Sequence, residues 1–335
     1  MDTSAAKFLS IVVPVYNEQE NVGELVGEIG AALGGAGLAY ELVVVDDGST
    51  DGTLAALRGL QGEHPELRVI RFRRNFGQTA ALAAGFDHAR GDVVVPLDGD
   101  LQNDPRDIVR LVKKLEEGYD VVSGWRRDRK DKLVTRKLPS WVANWLIGRI
   151  TGVRLHDYGC TLKAYRREAL ENVNLYGEMH RFIPAVAKWS GAEVAEMAVN
   201  HRPRVRGKAK YGLSRTFKVV LDLVTVKFLG TFSTKPLHIF GGIGLLTVLA
   251  GMLSGLVVVY QKWFAEPQLP MNRNPLLVLT AMLMMMSVQF LLMGLLAEML
   301  CRTYHESQNK ATYVVRAIYE SAVQEQGQGG GHVQV

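Results

Sequence analysis

Over its first 125 residues or so the chain alternates short apolar runs with longer amphipathic stretches. Ser10–Val15 (SIVVPV), Glu41–Val45 (ELVVV) and Asp92–Leu97 (DVVVPL) are β-branched runs without polar alternation. Leu67–Phe72 is more ragged, and Asp120–Ser123 (DVVS) makes a fifth. Between them, Glu18–Leu33, Asp51–Leu60, Gln78–Ala89 and Pro105–Glu117 read as helices. Strands that are apolar on both faces and separated by helices predict a mostly parallel sheet covered on both sides. Ligands of such sheets sit beyond the carboxyl ends of the strands. Three of those ends carry polar clusters: Tyr16-Asn17-Glu18, Asp46-Asp47-Gly48-Ser49 and Asp98-Gly99-Asp100. Their convergence at one sheet edge would make a site.

The pattern changes towards the C-terminus. Pro236–Gln261 and Asn274–Ala297 contain no Asp, Glu, Lys or Arg. Each is long enough, at ~1.5 Å per residue, to cross a ~30 Å hydrocarbon core, and together they predict a transmembrane hairpin. Arg215, Lys218, Lys227 and Lys235 precede the first span, and Arg302, Lys310 and Arg316 follow the second. The short connecting loop holds only Lys262 and Arg273, with Glu266 between them. That bias places both ends of the hairpin, and the large N-terminal part, on the cytoplasmic side of an inner membrane. Met1–Lys7 carries no hydrophobic leader, in keeping with this orientation. Trp141–Ile150 and Phe217–Phe232 are amphipathic and aromatic-rich, as expected of helices lying in a membrane interface, although core helices share the pattern. The expected division is a domain over 1–212, a juxtamembrane segment over 213–235, two spans within 236–301 (about 236–261 and 274–299) and a cytoplasmic tail over 302–335. Residues Ala311–Tyr319 are expected to form a strand or helix that packs on another protomer, and a homo-oligomer is expected with it.

Net charge is +5, unevenly spread. Trp125–Lys137 holds seven basic and two acidic residues, and His201–Lys210 holds five basic residues and no acid. Two such segments imply an anionic partner; beside a membrane anchor, lipid phosphate is closer at hand than nucleic acid. A nucleic-acid binder would also leave the hairpin and the carboxylates unexplained. The cysteines, Cys160 and Cys301, read as reduced and structural.

Asp98 and Asp100, at the end of an apolar strand, offer two hard oxygen ligands to a divalent cation, and Gln102 offers a third. A cation so placed commonly holds phosphates. Asp104-Pro105 then reads as the start of the next helix. A polar turn explains an isolated D-x-D equally well, so the neighbouring clusters carry the weight.

These residues resemble a known family. Pro14-Val15-Tyr16-Asn17-Glu18, Asp46-Asp47-Gly48-Ser49-Thr50-Asp51-Gly52-Thr53, Asn75-Phe76-Gly77-Gln78 with Ala84-Gly85-Phe86, and Asp98-Gly99-Asp100-Leu101-Gln102 look like the family 2 glycosyltransferases of GT-A fold. Most similar are the polyprenyl-phosphate glycosyltransferases, which include dolichol-phosphate mannose synthases and bactoprenol glucosyltransferases. The resemblance implies an α/β, Rossmann-like GT-A domain and inverting transfer of a sugar from a nucleotide-sugar donor to a polyprenyl phosphate. UDP-glucose and undecaprenyl phosphate are favoured, another UDP-sugar or GDP-mannose being the alternative. It implies Mg²⁺ or Mn²⁺ at Asp98, Asp100 and Gln102, and a nucleotide pocket of Pro14, Tyr16, Glu18, Asp46, Asp47, Gln78, Asp98 and Gly99. Asp157, in His156-Asp157-Tyr158-Gly159-Cys160, matches a position near the reacting sugar and joins Asp100 as a catalytic candidate. Ser140 and Asn144 match the acceptor region. Joining two anions requires cations, and Arg126, Arg127, Arg136, Lys137, Arg204 and Lys210, with Ser140, are the candidates for the lipid phosphate. The run Arg204–Lys210 carries Ala209 where the family pattern has serine. A processive polysaccharide synthase would show a Q-x-x-R-W motif and more spans, and neither is present. An inactive membrane-anchored scaffold would be expected to have lost one of Asp98, Asp100 and Gln102.

Overall fold

The computed structural model describes residues 8–127, 144–145, 147–149, 151–171, 179–203, 236–264, 270, 273–307 and 313–320. The chain divides into two compact units, one of residues 1–224 with 311–335, the other of residues 225–310.

The first unit is built on an eight-stranded sheet of order β7-β5-β6-β4-β1-β2-β3-β8. The strands are β1 (Leu9–Val15), β2 (Tyr40–Asp46), β3 (Leu67–Phe72), β4 (Val93–Pro96), β5 (Val121–Trp125), β6 (Lys163–Arg166), β7 (Val194–Ala198) and β8 (Val315–Tyr319). The first five follow the apolar runs. Helices α1 (Val22–Gly34), α2 (Thr53–Leu60), α3 (Gln78–Asp87) and α4 (Arg106–Glu116) lie where the amphipathic pattern puts them. Helix α1 starts four residues late, because Glu18 to Asn21 form a turn that serves the site. Both faces of β1 are covered: Ile11, Val13 and Val15 join the core beneath α1 and α4, and Val12 joins the core beneath α3. This explains why the central strands lack polar alternation.

Strands β1, β2, β3 and β4 are mutually parallel, and β5 pairs in parallel with β7. Strand β6 runs antiparallel between β4 and β5. The carboxyl ends of β1, β2, β4, β5 and β7 therefore lie at one edge, together with the start of β6. That single fact of topology collects the site.

Strand β8 closes the far edge, antiparallel to β3 of the same chain. The expectation of a strand or helix in Ala311–Tyr319 resolves as a strand, and its partner is intramolecular. Glu320 ion-pairs with Arg68 and Arg90, 2.9 Å each, and Tyr313 stacks on Phe72 while donating to Asp87.

Close packing of α3 on β1 requires Gly85: a Cβ there would lie 2.1 Å from Cγ1 of Val12, a fully buried, stiff side chain. Gly85→Ala is expected to cost about 1–3 kcal/mol, read as a fall in the unfolding midpoint.

The second unit pairs helices α5 (Pro236–Trp263) and α6 (Pro275–Ser307). Within them Phe240–Trp263 and Pro275–Ala297 have mean hydropathies of 2.3 and 2.2 and are long and apolar enough to cross a membrane. Small residues let them approach: Gly244 faces Leu291, Gly251 faces Leu283 and Met284, and Gly255 faces Thr280. Thr280 also donates to Ser254 at 2.9 Å, and Asn274 bonds Gln261 at 2.8 Å beside the turn. Much of the outer surface is exposed leucine, valine and methionine.

Candidate active site

The turn after β1 is laced to the turn after β2. Asn17 adopts φ +53°, and its side-chain oxygen accepts the N–H of Thr50 at 2.9 Å. Its own N–H donates to Ser49 Oγ, and the Glu18 N–H donates to Thr53 Oγ1. Glu18 in turn accepts from the Asn21 amide at 2.7 Å, and Pro14 and Tyr16 are half-buried beside it.

Asp46 and Asp47 do different work. Asp46 is fully buried, and its Oδ1 accepts the Ser49 N–H at 2.9 Å, closing the turn. Its Oδ2 is buried without a hydrogen-bond partner among the described residues. Asp47 reaches across to the β3–α3 loop, where its two oxygens accept the N–H groups of Phe76 and Gly77 at 2.7 and 2.9 Å. Burial raises its pKa, and those two N–H groups oppose the rise. The close approach needs Gly48, at φ +71°, where a Cβ would lie 2.5 Å from the Arg74 backbone. Asp47 thereby places Gln78, the first residue of α3, whose amide donates to Asp98 Oδ1 at 2.9 Å. The structure thus sets Gln78 on the carboxylate pair.

Asp98 and Asp100 are both half-buried and flank the buried Gly99 at the end of β4. Burial, and then the charge of Asp100, push the Asp98 carboxyl well above the usual carboxylate range; Thr161 and the Arg126 and Lys163 cations oppose this. Leu101 is held at φ +60°, a costly conformation for a leucine, and the turn it makes lets Asp100 Oδ1 accept the Gln102 N–H at 3.2 Å. Backbone strain of this kind at a strand end marks a geometry that the surrounding packing enforces.

Two like charges this close are relieved by a cation, and oxygen-only donors suit Mg²⁺ or Mn²⁺. Among the described residues no group of three or more His, Cys, Asp or Glu converges on a metal position. Asp98 and Asp100 would hold such a cation only in part, and water or a bound anion would have to supply further oxygens. Weak cation binding without nucleotide is the expected consequence. The Gln102 amide nitrogen lies 3.5 Å from the Arg202 carbonyl, and the Arg202 N–H donates to the Gln102 carbonyl at 2.8 Å. Asn103 and His201 form a β-bridge beside them. The second basic segment thus begins against the carboxylate loop. Asp104, just before α4, accepts the Arg106 N–H at 3.1 Å and also pairs with Arg202 at 3.2 Å.

Arg126, just past β5, meets Asp157 in a two-pronged pair, Nε to Oδ2 at 2.7 Å and Nη2 to Oδ1 at 3.0 Å. The side chains are only 13% and 10% exposed. Asp157 also accepts the Gly159 N–H at 3.1 Å. Arg127 is exposed, its guanidinium 5.9 Å from the Trp125 ring centre. Arg136, Lys137, Ser140, Arg204 and Lys210 lie outside the described residues.

Four contributors carried no obvious sequence signal. Thr161 and Lys163 come from the start of β6, and Lys163 is almost fully buried with its ammonium on the Cys160 and Tyr158 carbonyls. Burial lowers its pKa. Glu196, on β7, accepts the N–H groups of His156 and Asp157 at 2.8 and 3.2 Å, and His156 Nδ1 at 2.6 Å. His180 is buried, pushed down to about 3 by that burial, and its Nδ1 lies 2.7 Å from Thr79 Oγ1 in the first turn of α3.

Comparison with known proteins agrees with this geometry. Residues 10–173 match the model of glycosyl transferase family 2, and residues 235–303 match the GtrB C-terminal hairpin. A dodecaprenyl-phosphate galacturonate synthase of Rhizobium johnstonii is 47% identical over 320 residues, 94% of each chain. An undecaprenyl-phosphate 4-deoxy-4-formamido-L-arabinose transferase of Edwardsiella ictaluri is 36% identical, covering 95% of this chain and 96% of its own. Among solved structures, glucosyl-3-phosphoglycerate synthase of Mycobacterium tuberculosis, in a complex with Mn²⁺ and UDP, superposes with a TM-score of 0.53. It is 20% identical, covers 67% of this chain and 80% of its own, and shares the GT-A fold. The chain belongs to glycosyl transferase family 2, as a glycosyltransferase of the polyprenyl-phosphate type with a C-terminal membrane-anchoring hairpin.

Proposed function

We propose that the enzyme moves a sugar from a nucleoside diphosphate to the phosphate of a polyprenyl lipid, with inversion at the anomeric carbon. The observation that carries this is the meeting, at one sheet edge, of the Asp98–Asp100 pair with the Arg126–Asp157 pair and the start of the second basic segment. One side suits a diphosphate held through a cation, the other an acceptor phosphate. An acceptor phosphate oxygen attacks the anomeric carbon, the bond to the diphosphate oxygen breaks, and the nucleoside diphosphate departs. A phosphomonoester with a second pKa of ~6 is already largely dianionic at pH 7, so no strong base is required. A cation bound at Asp98 and Asp100 would supply charge neutralisation to the leaving diphosphate.

The chain's own residues do the rest. Asp46 and the turns after β1 and β2, with Pro14, Tyr16 and Glu18, line the nucleotide side, and Asp46 Oδ2 is an acceptor suited to a base N–H. Asp47 and Gln78 keep Asp98 in place. Asp157 holds Arg126 in a fixed orientation for the acceptor, and Arg127 adds a second cation close by; Arg136, Lys137, Ser140, Arg204 and Lys210, outside the described residues, remain candidates for the lipid phosphate. We take the hairpin to anchor the enzyme in the inner membrane with the catalytic unit facing the cytoplasm. The juxtamembrane segment 213–235 lies outside the described residues, and the tail 302–335 supplies β8.

UDP-glucose, the donor favoured by the sequence, has the hairpin resemblance behind it. The relatives that match over nearly their whole length are named for galacturonate and for formamido-arabinose. We therefore place nucleotide-activated galacturonate first and undecaprenyl or a similar polyprenyl phosphate as acceptor. Offering the purified enzyme UDP-galacturonate, UDP-glucose, UDP-4-deoxy-4-formamido-L-arabinose and GDP-mannose separately tests the choice. Labelled lipid from UDP-galacturonate at a kcat/KM at least tenfold above the others is expected; preference for UDP-glucose would overturn the donor assignment and leave the reaction intact.

A further inference from the structure

Beside the Arg126–Asp157 pair stands a histidine that none of the site residues above accounts for. The His156 side chain is 67% exposed, yet it is firmly held. Its ring stacks on Trp125, centroids 4.3 Å apart and planes 20° from parallel. Its Nδ1 lies 2.6 Å from Glu196 Oε2, and Glu196, only 13% exposed, also accepts the His156 and Asp157 N–H groups. A carboxylate only accepts, so Nδ1 carries the proton and Nε2 is left as the ring's other polar atom. An exposed imidazole with one nitrogen committed to a sheltered carboxylate is oriented for a ligand in the way metal and phosphate histidines are.

The surroundings indicate which ligand. Arg127 follows Arg126 directly and approaches the other member of the stack, Trp125. The His156 carbonyl accepts the Asn144 amide at 2.6 Å, from a helical turn whose Trp145 is 58% exposed. That turn belongs to the amphipathic stretch expected at a membrane interface, and the Asn144 bond ties the His156 loop to it. Its next residue, Asp157, grips Arg126.

We propose that His156, oriented by Glu196 and Trp125, binds the phosphomonoester of the lipid acceptor through Nε2. Nε2 suits either ionisation state, donating to a dianion when the ring is protonated and accepting from a residual P–OH when it is neutral. Glu196 acts through His156 and the loop, as a positioning residue. The assignment rests on the acceptor being a lipid phosphate.

The test is equilibrium binding of labelled undecaprenyl phosphate to the full-length enzyme in detergent, with no donor present, and UDP binding in parallel. His156→Ala is expected to weaken undecaprenyl phosphate binding about tenfold, with UDP binding unchanged within twofold. His156→Gln, which keeps a polar group at that reach, should recover part of the loss, and undecaprenol should bind both forms alike. In turnover the same variant should raise the acceptor KM and leave the donor KM alone. Undecaprenyl phosphate binding that is unchanged in His156→Ala would overturn the proposal. So would an equal loss of UDP binding, because that reports a collapsed loop. A wild-type enzyme that binds the lipid phosphate but transfers no sugar to it would instead count against the proposed reaction.

Discussion

Asp100→Ala is expected to lower sugar transfer by about 100- to 1,000-fold, the usual cost of removing one preorganised charge-stabilising group from a transition state. The structure separates this from misfolding. Asp100 is half-buried in a turn after β4, and its charge is one of the causes that raise the Asp98 pKa. Removing it relieves like-charge repulsion on Asp98, so thermal stability should hold or rise while the rate falls. Initial rates under saturating donor and acceptor, beside a thermal melt, measure both. Asp98→Asn should behave similarly in rate, since it keeps the hydrogen bond from Gln78 in shape but not the charge. A variant that loses its fold along with its rate would mean the pair is structural.

Asp157→Ala is expected to do the reverse, costing stability as well as activity. Arg126 would stay behind with its partner removed, and breaking one side of a sheltered pair typically costs about 3–5 kcal/mol. At 13% exposure little water reaches the guanidinium to compensate. A large drop in the apparent melting temperature should therefore accompany loss of transfer. The double variant Arg126→Met with Asp157→Leu discriminates further. An apolar pair of similar volume is often no less stable than the ions it replaces, so stability should largely return. Activity should not, because the acceptor side has lost its fixed cation. Recovery of both would show that the pair only holds the loop.

Much of this was legible in the residues because the physics is local. An uninterrupted β-branched run such as Val93–Val95 has few uses besides a buried parallel strand, and Asp98 and Asp100 follow it immediately. The four N-terminal helices were readable from spacing alone. Strands β6 and β7 were not, and β8 was readable only as a strand or a helix, since KAYR, VAEMA and VRAIY are short, mixed in character and stabilised by partners far away in sequence. Thr161, Lys163 and Glu196 escaped for the same reason: each owes its contacts to β6 or β7 lying beside β5. Reading Gln78 as a nucleotide contact missed its bond to Asp98, which depends on how Asp47 draws in the loop before α3. The return of β8 to its own sheet was equally out of reach, as an edge strand accepts a partner from the same chain or another by the same hydrogen bonds.

One measurement bears most directly on the central claim: the fate of labelled sugar when the purified enzyme meets UDP-galacturonate, undecaprenyl phosphate and Mg²⁺ or Mn²⁺. Label is expected in the organic-extractable lipid, abolished by chelation and by Asp100→Ala, and absent when undecaprenol replaces the phosphate. Transfer to undecaprenol, transfer undiminished by chelator, or no lipid-linked label from any nucleotide sugar would contradict it.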